Sequence, residues 1–329
     1  PAGRPVGWDA GLEAEAGTTR VEVTPDEAGQ RLDRLLADRL GVSRARVRHL
    51  LESGRVRRDG RRLALADKSH AARPAEGYVV EGPLHAEGEQ PRPRPDLPLD
   101  VLAEGAGWLV VDKPAGRGVH PLHPDQDDTV LNAVVARQPA ILGVGEGGLR
   151  SGVVHRLDVD TTGALVFATD DETWRRLRGA FSAHRVDKRY RALVVGRLER
   201  PRRLDLPLVV ERHSPAHVGV RDDGRPTRER VIPLQVFDMA TLVEVRLETG
   251  FLHQIRATLA HVGHPLLGDV EYGGPTVVDG LEIARPMLHA AHLAVDEIDV
   301  EVVPPADFEA VRVHLESLEG RATPVETGS

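Results

Sequence analysis

Apolar and polar positions along the chain alternate with two periods. Leu32, Leu35, Leu36 and Leu40 recur at helical spacing in GQRLDRLLADRL, and Val47, Leu50 and Leu51 share one face of SRARVRHLLESG. Two short helices are predicted, the first ended by Gly41, the second capped by Ser43 and stopped by Gly54. A strand over residues 20–23 precedes them. After them, Asp59-Gly60 inside RVRRDGRRLAL predicts a tight hairpin.

Further along, residues 153–157 and 164–168 of GVVHRLDVDTTGALVFA read as two short buried strands flanking a polar turn that ends in Gly163. A strand at 109–111 and a helix at 129–137 come before them. A helix with Trp174, Leu177 and Phe181 on one face follows, capped by Asp170 or Asp171. KRYRALVVG is extended, with Lys188, Tyr190, Ala192 and Val194 on one face. Residues 206–236 read as irregular strands and turns with a hairpin tip at Asp223-Gly224. TLVEVRLETG alternates, placing Glu244, Arg246 and Glu248 outward. In FLHQIRATLAHVG, Leu252, Ile255, Leu259 and Val262 form a helical stripe, with His253 and Arg256 neighbours on the surface near its start. A strand and helix over residues 300–318 close the body.

The expected organisation is a tail at residues 1–18, a small α/β unit at 19–82, a Pro-rich linker at 83–98, a larger body at 99–319 and a second tail at 320–329. The 329 residues suffice for two cores, and 40% hydrophobic with 29% charged residues describes a globular protein. The absence of Cys excludes disulfides, thiolate metal sites and a cysteine nucleophile. No run of about eighteen apolar residues occurs and the N-terminus lacks an export pattern, so a cytoplasmic location without membrane contact is expected. The net charge of −8 argues against nucleic acid, but eleven Arg against four acidic residues between Arg31 and Arg62 give that stretch +7. A basic module on an acidic body is the consequence. Its exposed candidates for RNA contact are Arg44, Arg46, Arg48, Arg57 and Arg58.

Chemistry concentrates around Asp158. Arg156 and Asp158 are two apart on an extended segment and project together, as an ion pair closing a strand or as a reactive pair at a strand end. Arg256 near a helix start suits a carboxylate or phosphate ligand, or answers a nearby acidic side chain. The His pairs 120/123, 261/264 and 289/292 lack HExxH spacing, so no metal is expected. No Walker loop, GxSxG elbow or kinase set is present.

DKPAGRGVHP, GVVHRLDVDTTGALVFA, VDKRYRALVVG and ETGFLHQIRATLAHVGHPLLGDVEYGG, in this order, resemble the sequence blocks of RluA-type RNA pseudouridine synthases over about residues 101–316. Residues 29–82 resemble an S4 RNA-binding domain. The resemblance implies an α+β catalytic domain on a long, mostly antiparallel or mixed sheet with an RNA cleft, preceded by the small S4-like domain. It makes Asp158 the catalytic aspartate, Arg156 the residue displacing the target uridine, Tyr190 the base-contacting tyrosine and Arg256 the partner of Asp158. His155, Thr161, Lys188 and His253 lie in the same blocks as candidate RNA contacts. Thr162 stands where Ser is usual, and Phe251 where an Arg commonly follows the Gly.

The reaction so implied is uridine isomerisation in RNA, with 23S rRNA or a pre-50S particle as the expected partner and tRNA as the alternative. It is expected to need no cofactor, because nothing is oxidised and no group enters, and the protein is expected to act as a monomer. An RNA-binding assembly factor whose synthase-like fold has lost its chemistry is the alternative from another class.

Overall fold

A computed structural model describes residues 12–15, 18–40, 42, 44–82, 84, 89–213 and 215–319. The C-terminal tail, Gly41 and Ser43 lie outside the described residues.

The N-terminal unit is a five-stranded sheet carrying two helices. Its elements are β1 (Leu12–Glu15), β2 (Thr18–Glu22), α1 (Leu32–Leu40), α2 (Arg44–Glu52), β3 (Val56–Arg58), β4 (Arg61–Arg62) and β5 (Gly77–Glu81), with strand order β1-β2-β5-β3-β4. The helical stripes do what their spacing predicts: Leu32, Leu35, Leu36, Val47, Leu50 and Leu51 share one core with Val56, Tyr78 and Val80. Asp59 and Gly60 both have positive φ, 50° and 78°, the conformation a two-residue hairpin needs. One correction concerns the expected N-terminal tail. Residues 12–15 pair with β2, because a backbone ladder needs little apolar sequence to extend an edge.

The linker is not a free spacer. Arg92 O accepts from Asn132 Nδ2 at 2.8 Å and Arg94 N donates to Asn132 O at 3.0 Å, fastening this segment to the body.

The body begins with β6 (Asp100–Gly105), β7 (Trp108–Lys113), α3 (Val130–Arg137), β8 (Thr162–Ala168) and α4 (Asp171–Ser182). It continues with β9 (Asp187–Val195), β10 (Arg202–His213), β11 (Ala216–Val220), β12 (Arg225–Val236), β13 (Ala240–Leu247) and α5 (Gln254–His261). A small hairpin of β14 (Val277–Val278) and β15 (Leu281–Glu282) precedes β16 (Leu288–Val295), β17 (Ile298–Glu301) and α6 (Ala306–Leu318).

One ten-stranded sheet runs β11-β10-β12-β13-β9-β16-β8-β7-β6, with β17 also on β16. Only the β16–β8 pairing is parallel. Alternation splits the side chains between two cores. Leu109, Val111, Leu165, Phe167, Ala192 and Val245 meet α3 and α5, while Val110, Val166 and Leu293 meet α4 on the other face. Asp170 caps α4, accepting from Thr173 N at 2.8 Å.

Three sequence expectations change. Residues 206–236 are regular strand, not irregular: they hold most of the twelve-residue β10, all of β11 and the twelve-residue β12, and the Asp223-Gly224 turn joins β11 to β12, which flank β10 instead of pairing as a hairpin. Residues 153–157 form no strand: Val153 makes a single bridge to Phe167 and the chain then runs as coil into a turn. Glu244 is buried, not outward, because Arg191 and Arg246 cover it with bonds of 2.6 and 2.7 Å.

Candidate active site

The turn that follows Leu157 carries Asp158, and three groups hold its backbone. Thr161 N donates to Asp158 O at 3.1 Å, Lys113 Nζ to Val159 O at 2.6 Å, and Arg285 Nη1 to Asp160 O at 3.2 Å. Lys113 is fully buried at the end of β7, and its second bond goes to Pro114 O at 2.8 Å. Burial pushes its ammonium down to about 7, against the pull of Asp160 and Asp158. Gly163, at φ 111°, lets β8 approach β16: a Cβ there would sit 2.2 Å from Ala290 O. Thr162 donates its hydroxyl to His289 Nδ1 at 2.8 Å, since His289 Nε2 is already bonded to Val302 O.

The turn opens on a cleft of about 370 Å³ that is partly open to solvent. Arg156, Asp158, Thr161, Tyr190, His253 and Arg256 all line it, with Leu157, Leu247, Phe251 and Ile255 as apolar wall. The structure thus brings together six of the residues singled out in the sequence. Arg156 and Asp158 share the cleft as expected, although a coil and not a strand presents them. Arg156 is exposed and, among the described residues, has no bonded partner.

Arg256 is only 9% exposed, so its expected surface position is wrong. It meets Asp158 at 3.8 Å, Nη1 to Oδ2. Its main partner is another residue, the fully buried Asp269, bound by Nε at 2.7 Å and Nη2 at 2.8 Å. Glu271 lies 3.4 Å from Nη2, and the Tyr272 ring centroid 4.9 Å from the guanidinium carbon. Burial opposes the charge on Arg256, but the fork to Asp269, with Asp158 beyond it, more than offsets that and raises its pKa. Arg256 is therefore a permanent cation set beside Asp158 by an anchoring carboxylate.

Tyr190, on β9, is 8% exposed. Burial first, then the negative charge of Asp158, raises its pKa and keeps it a phenol. His253 takes the left-handed conformation at the N-cap of α5, φ 50°. Its Nδ1 lies 2.9 Å from Tyr272 Oη, which itself accepts from Val218 N at 2.9 Å. The phenol hydrogen therefore goes to Nδ1, and the ring proton of His253 sits on Nε2. Burial lowers the pKa of His253, with Asp158 opposing.

Two expected contacts are not among the residues lining the cleft. His155 Nε2 accepts from Val166 N at 3.1 Å and its ring stacks on Phe181 at 4.6 Å, bracing the coil on β8; burial pushes it down to about 3. Lys188 Nζ donates to Thr249 O at 3.2 Å, with its pKa pushed by burial down to about 8.

In the N-terminal unit most of the arginines are committed. Arg44 bonds Asp33 at 2.7 Å, Arg57 bonds Glu81 at 2.6 Å, Arg58 bonds Glu76 at 3.2 Å, and Arg46 bonds Leu84 O and Glu89. Arg48 is exposed without a bonded partner among the described residues, as are Arg61 and Arg62 at the hairpin.

Sequence reasoning missed Asp269, Lys113 and Arg285. Asp269 and Lys113 lie inside blocks already singled out, HPLLGDVEYGG and DKPAGRGVHP. The apolar residues just before them, Leu109, Val110 and Val111 for Lys113 and Leu266 and Leu267 for Asp269, were the available sign of burial.

A half-buried carboxylate flanked by an anchored guanidinium and a neutral phenol, in a cleft across a mixed sheet, defines an enzyme site for a planar polar substrate. The sequence profile of the RNA pseudouridylate synthase family matches residues 107–261. An uncharacterized RNA pseudouridine synthase of Chloroflexus aurantiacus is 40% identical, covering 86% of each chain. The ribosomal large subunit pseudouridine synthase D of Zymomonas mobilis is 36% identical over 84% of this chain and 89% of its own. Among solved structures, human RNA pseudouridylate synthase domain containing 1 shares the fold with a TM-score of 0.50 and 25% identity, over 63% of this chain and 83% of its own. The chain belongs to the RluA-type RNA pseudouridine synthases and is an RNA-modifying isomerase.

Proposed function

We propose that the enzyme converts specific uridines of large-subunit ribosomal RNA to pseudouridine in the cytoplasm, with Asp158 as its catalytic carboxylate. The observation that carries this reading is the convergence of Asp158, Tyr190 and Arg256 on one cleft. The rRNA target rests on the relatives named for the large subunit and on the Arg-rich N-terminal unit, which we assign to RNA docking as an S4-like domain.

A stacked base cannot rotate, so the uridine is flipped into the cleft at a cost of a few kcal/mol. Arg156, free of internal partners and at the cleft rim, fills the space it leaves. Breaking the N1–C1′ bond develops positive character on the sugar, which the Asp158 carboxylate answers. Arg256 keeps that carboxylate ionised and oriented. Tyr190, held as a phenol, forms a wall against the uracil. The base turns, C5 joins C1′, the C5 proton leaves to solvent and N1 takes up a proton, so that the product is an isomer of the substrate.

Release of tritium from RNA labelled at uracil C5 tests this with purified protein. Release from rRNA fragments supports the assignment, release from tRNA alone moves the substrate, and no release from either contradicts it.

A further inference from the structure

One ionisable group lies under the helix that carries Arg256 and has no part in the steps above. Glu229, on β12, is fully buried. Its cross-strand neighbours are Leu204 on β10 and Leu247 on β13. Across from it stand two neutral residues of α5. Thr258 Oγ1 is 2.6 Å from Oε1, and Gln254 Nε2 is 3.1 Å from Oε2.

Among the described residues no cation compensates it. Arg228 and Arg230, beside it on β12, are exposed on the opposite face, and the Arg256 fork is occupied by Asp269. His253 turns to Tyr272 and His261 is exposed. An ionised carboxylate in such surroundings is expensive, whereas a carboxylic acid is not.

The hydrogen bonds around it accommodate the acid form, although those from Thr258 and Gln254 by themselves favour the carboxylate and only burial outweighs them. The Gln254 amide is oriented by Phe251 N and the Thr249 hydroxyl, which lie 3.2 and 3.0 Å from its Oε1, so Nε2 must donate to Glu229 Oε2. The Thr258 hydroxyl has one hydrogen and three acceptors in reach, Glu229 Oε1, Gln254 O at 2.8 Å and Ile255 O at 3.3 Å. Both oxygens are satisfied when the acid donates to Thr258 and Thr258 donates to Gln254 O.

We propose that Glu229 is a positioning residue for the isomerisation: as a neutral acid it ties Thr258 and Gln254 to β12, holding the first turns of α5, and hence Arg256, at Asp158. Burial pushes its pKa up to about 7, so the acid form is lost as the medium turns alkaline. Ionisation reverses the Thr258 bond and places an uncompensated charge under the helix. The inference rests on the pseudouridine synthase reading of the site.

Glu229→Gln supplies a permanent donor to Thr258 and an acceptor for Gln254. Between about pH 6 and about pH 8.5 the wild-type kcat should fall at least about fivefold with KM little changed, while the variant changes less than about twofold. At about pH 6 the two should agree within about threefold. Glu229→Leu, which removes both bonds, should be impaired at every pH. Superimposable wild-type and Gln profiles overturn the proposal. A second readout needs no activity: the infrared band of a protonated buried carboxyl should be present in the wild type at pH 6 and absent in Glu229→Gln. Its absence from the wild type also overturns the proposal. A wild type with the band but no pseudouridine at any pH sinks the functional reading alone.

Discussion

Asp158 owes its position and charge to residues that do not touch a substrate. Arg256 reaches it at 3.8 Å because Asp269 holds the other edge of the guanidinium. Asp269→Asn leaves a buried guanidinium with half a partner. The loss of one member of a buried pair costs about 3–5 kcal/mol, so a lowered melting temperature and a lowered kcat are expected together, read by calorimetry and by isomerisation rate. Arg256→Gln should depress kcat while RNA binding, followed by filter retention, stays near wild type. Asp158, Tyr190 and Arg256 were legible in the sequence because their motifs carry them at set positions. Asp269, Lys113 and Glu229 were not, because a buried ionisable group is defined by what packs over it. Glu229 sits on a strand whose alternation, Thr227, Glu229, Val231, marks it inward, but residues 206–236 read as irregular and hid that sign.

At the scale of elements, the turn that carries Asp158 is clamped by its carbonyls. Lys113 and Arg285 bind the carbonyls of Val159 and Asp160, and Thr161 closes the turn on Asp158. Lys113→Met keeps the bulk and removes the clamp. A hydrogen bond contributes about 0.5–1.5 kcal/mol, so the variant should lose both stability and kcat, with hydrogen exchange faster across residues 158–161 than elsewhere. The helices were legible from periodicity, as were β2, the β3–β4 hairpin, β7, β8, β9 and β13. Residues 153–157 were misread because a run of buried apolar side chains does not distinguish a strand from a coil pinned by one bridge.

The N-terminal unit has its own acid sensitivity. Burial opposes ionisation of Glu76, but bonds from Tyr78, Arg73 N and His70 prevail and push it down to about 2. With a folded value below the unfolded one, its stabilisation is complete above about pH 4.5 and is lost as the pH falls toward 2. Melting followed by far-ultraviolet dichroism in acid should show the N-terminal unit weakening over that window, and Glu76→Gln should flatten the dependence.

For the whole molecule, a chain of net charge −8 must approach a polyanion through a local surface. The arginines of the basic stretch that have no bonded partner among the described residues, Arg48, Arg61 and Arg62, are available to phosphates. Replacing the three by Gln should weaken RNA binding and reduce the salt slope by about two to three units, since each phosphate contact contributes nearly one. Arg44→Gln should alter stability more than slope, because Arg44 is paired with Asp33. The basic stretch was legible from composition, whereas which of its arginines are spent on the fold depended on Asp33, Glu76, Glu81 and Glu89 arriving from elsewhere in the chain.

The central claim is that Asp158 performs uridine isomerisation on ribosomal RNA. Chemical mapping of pseudouridine in rRNA from cells whose only copy carries Asp158→Asn tests it most directly. Loss of one or more pseudouridines from the large-subunit RNA, restored by the wild-type chain, is the predicted result. An unchanged map, with or without a defect in ribosome assembly, would contradict it.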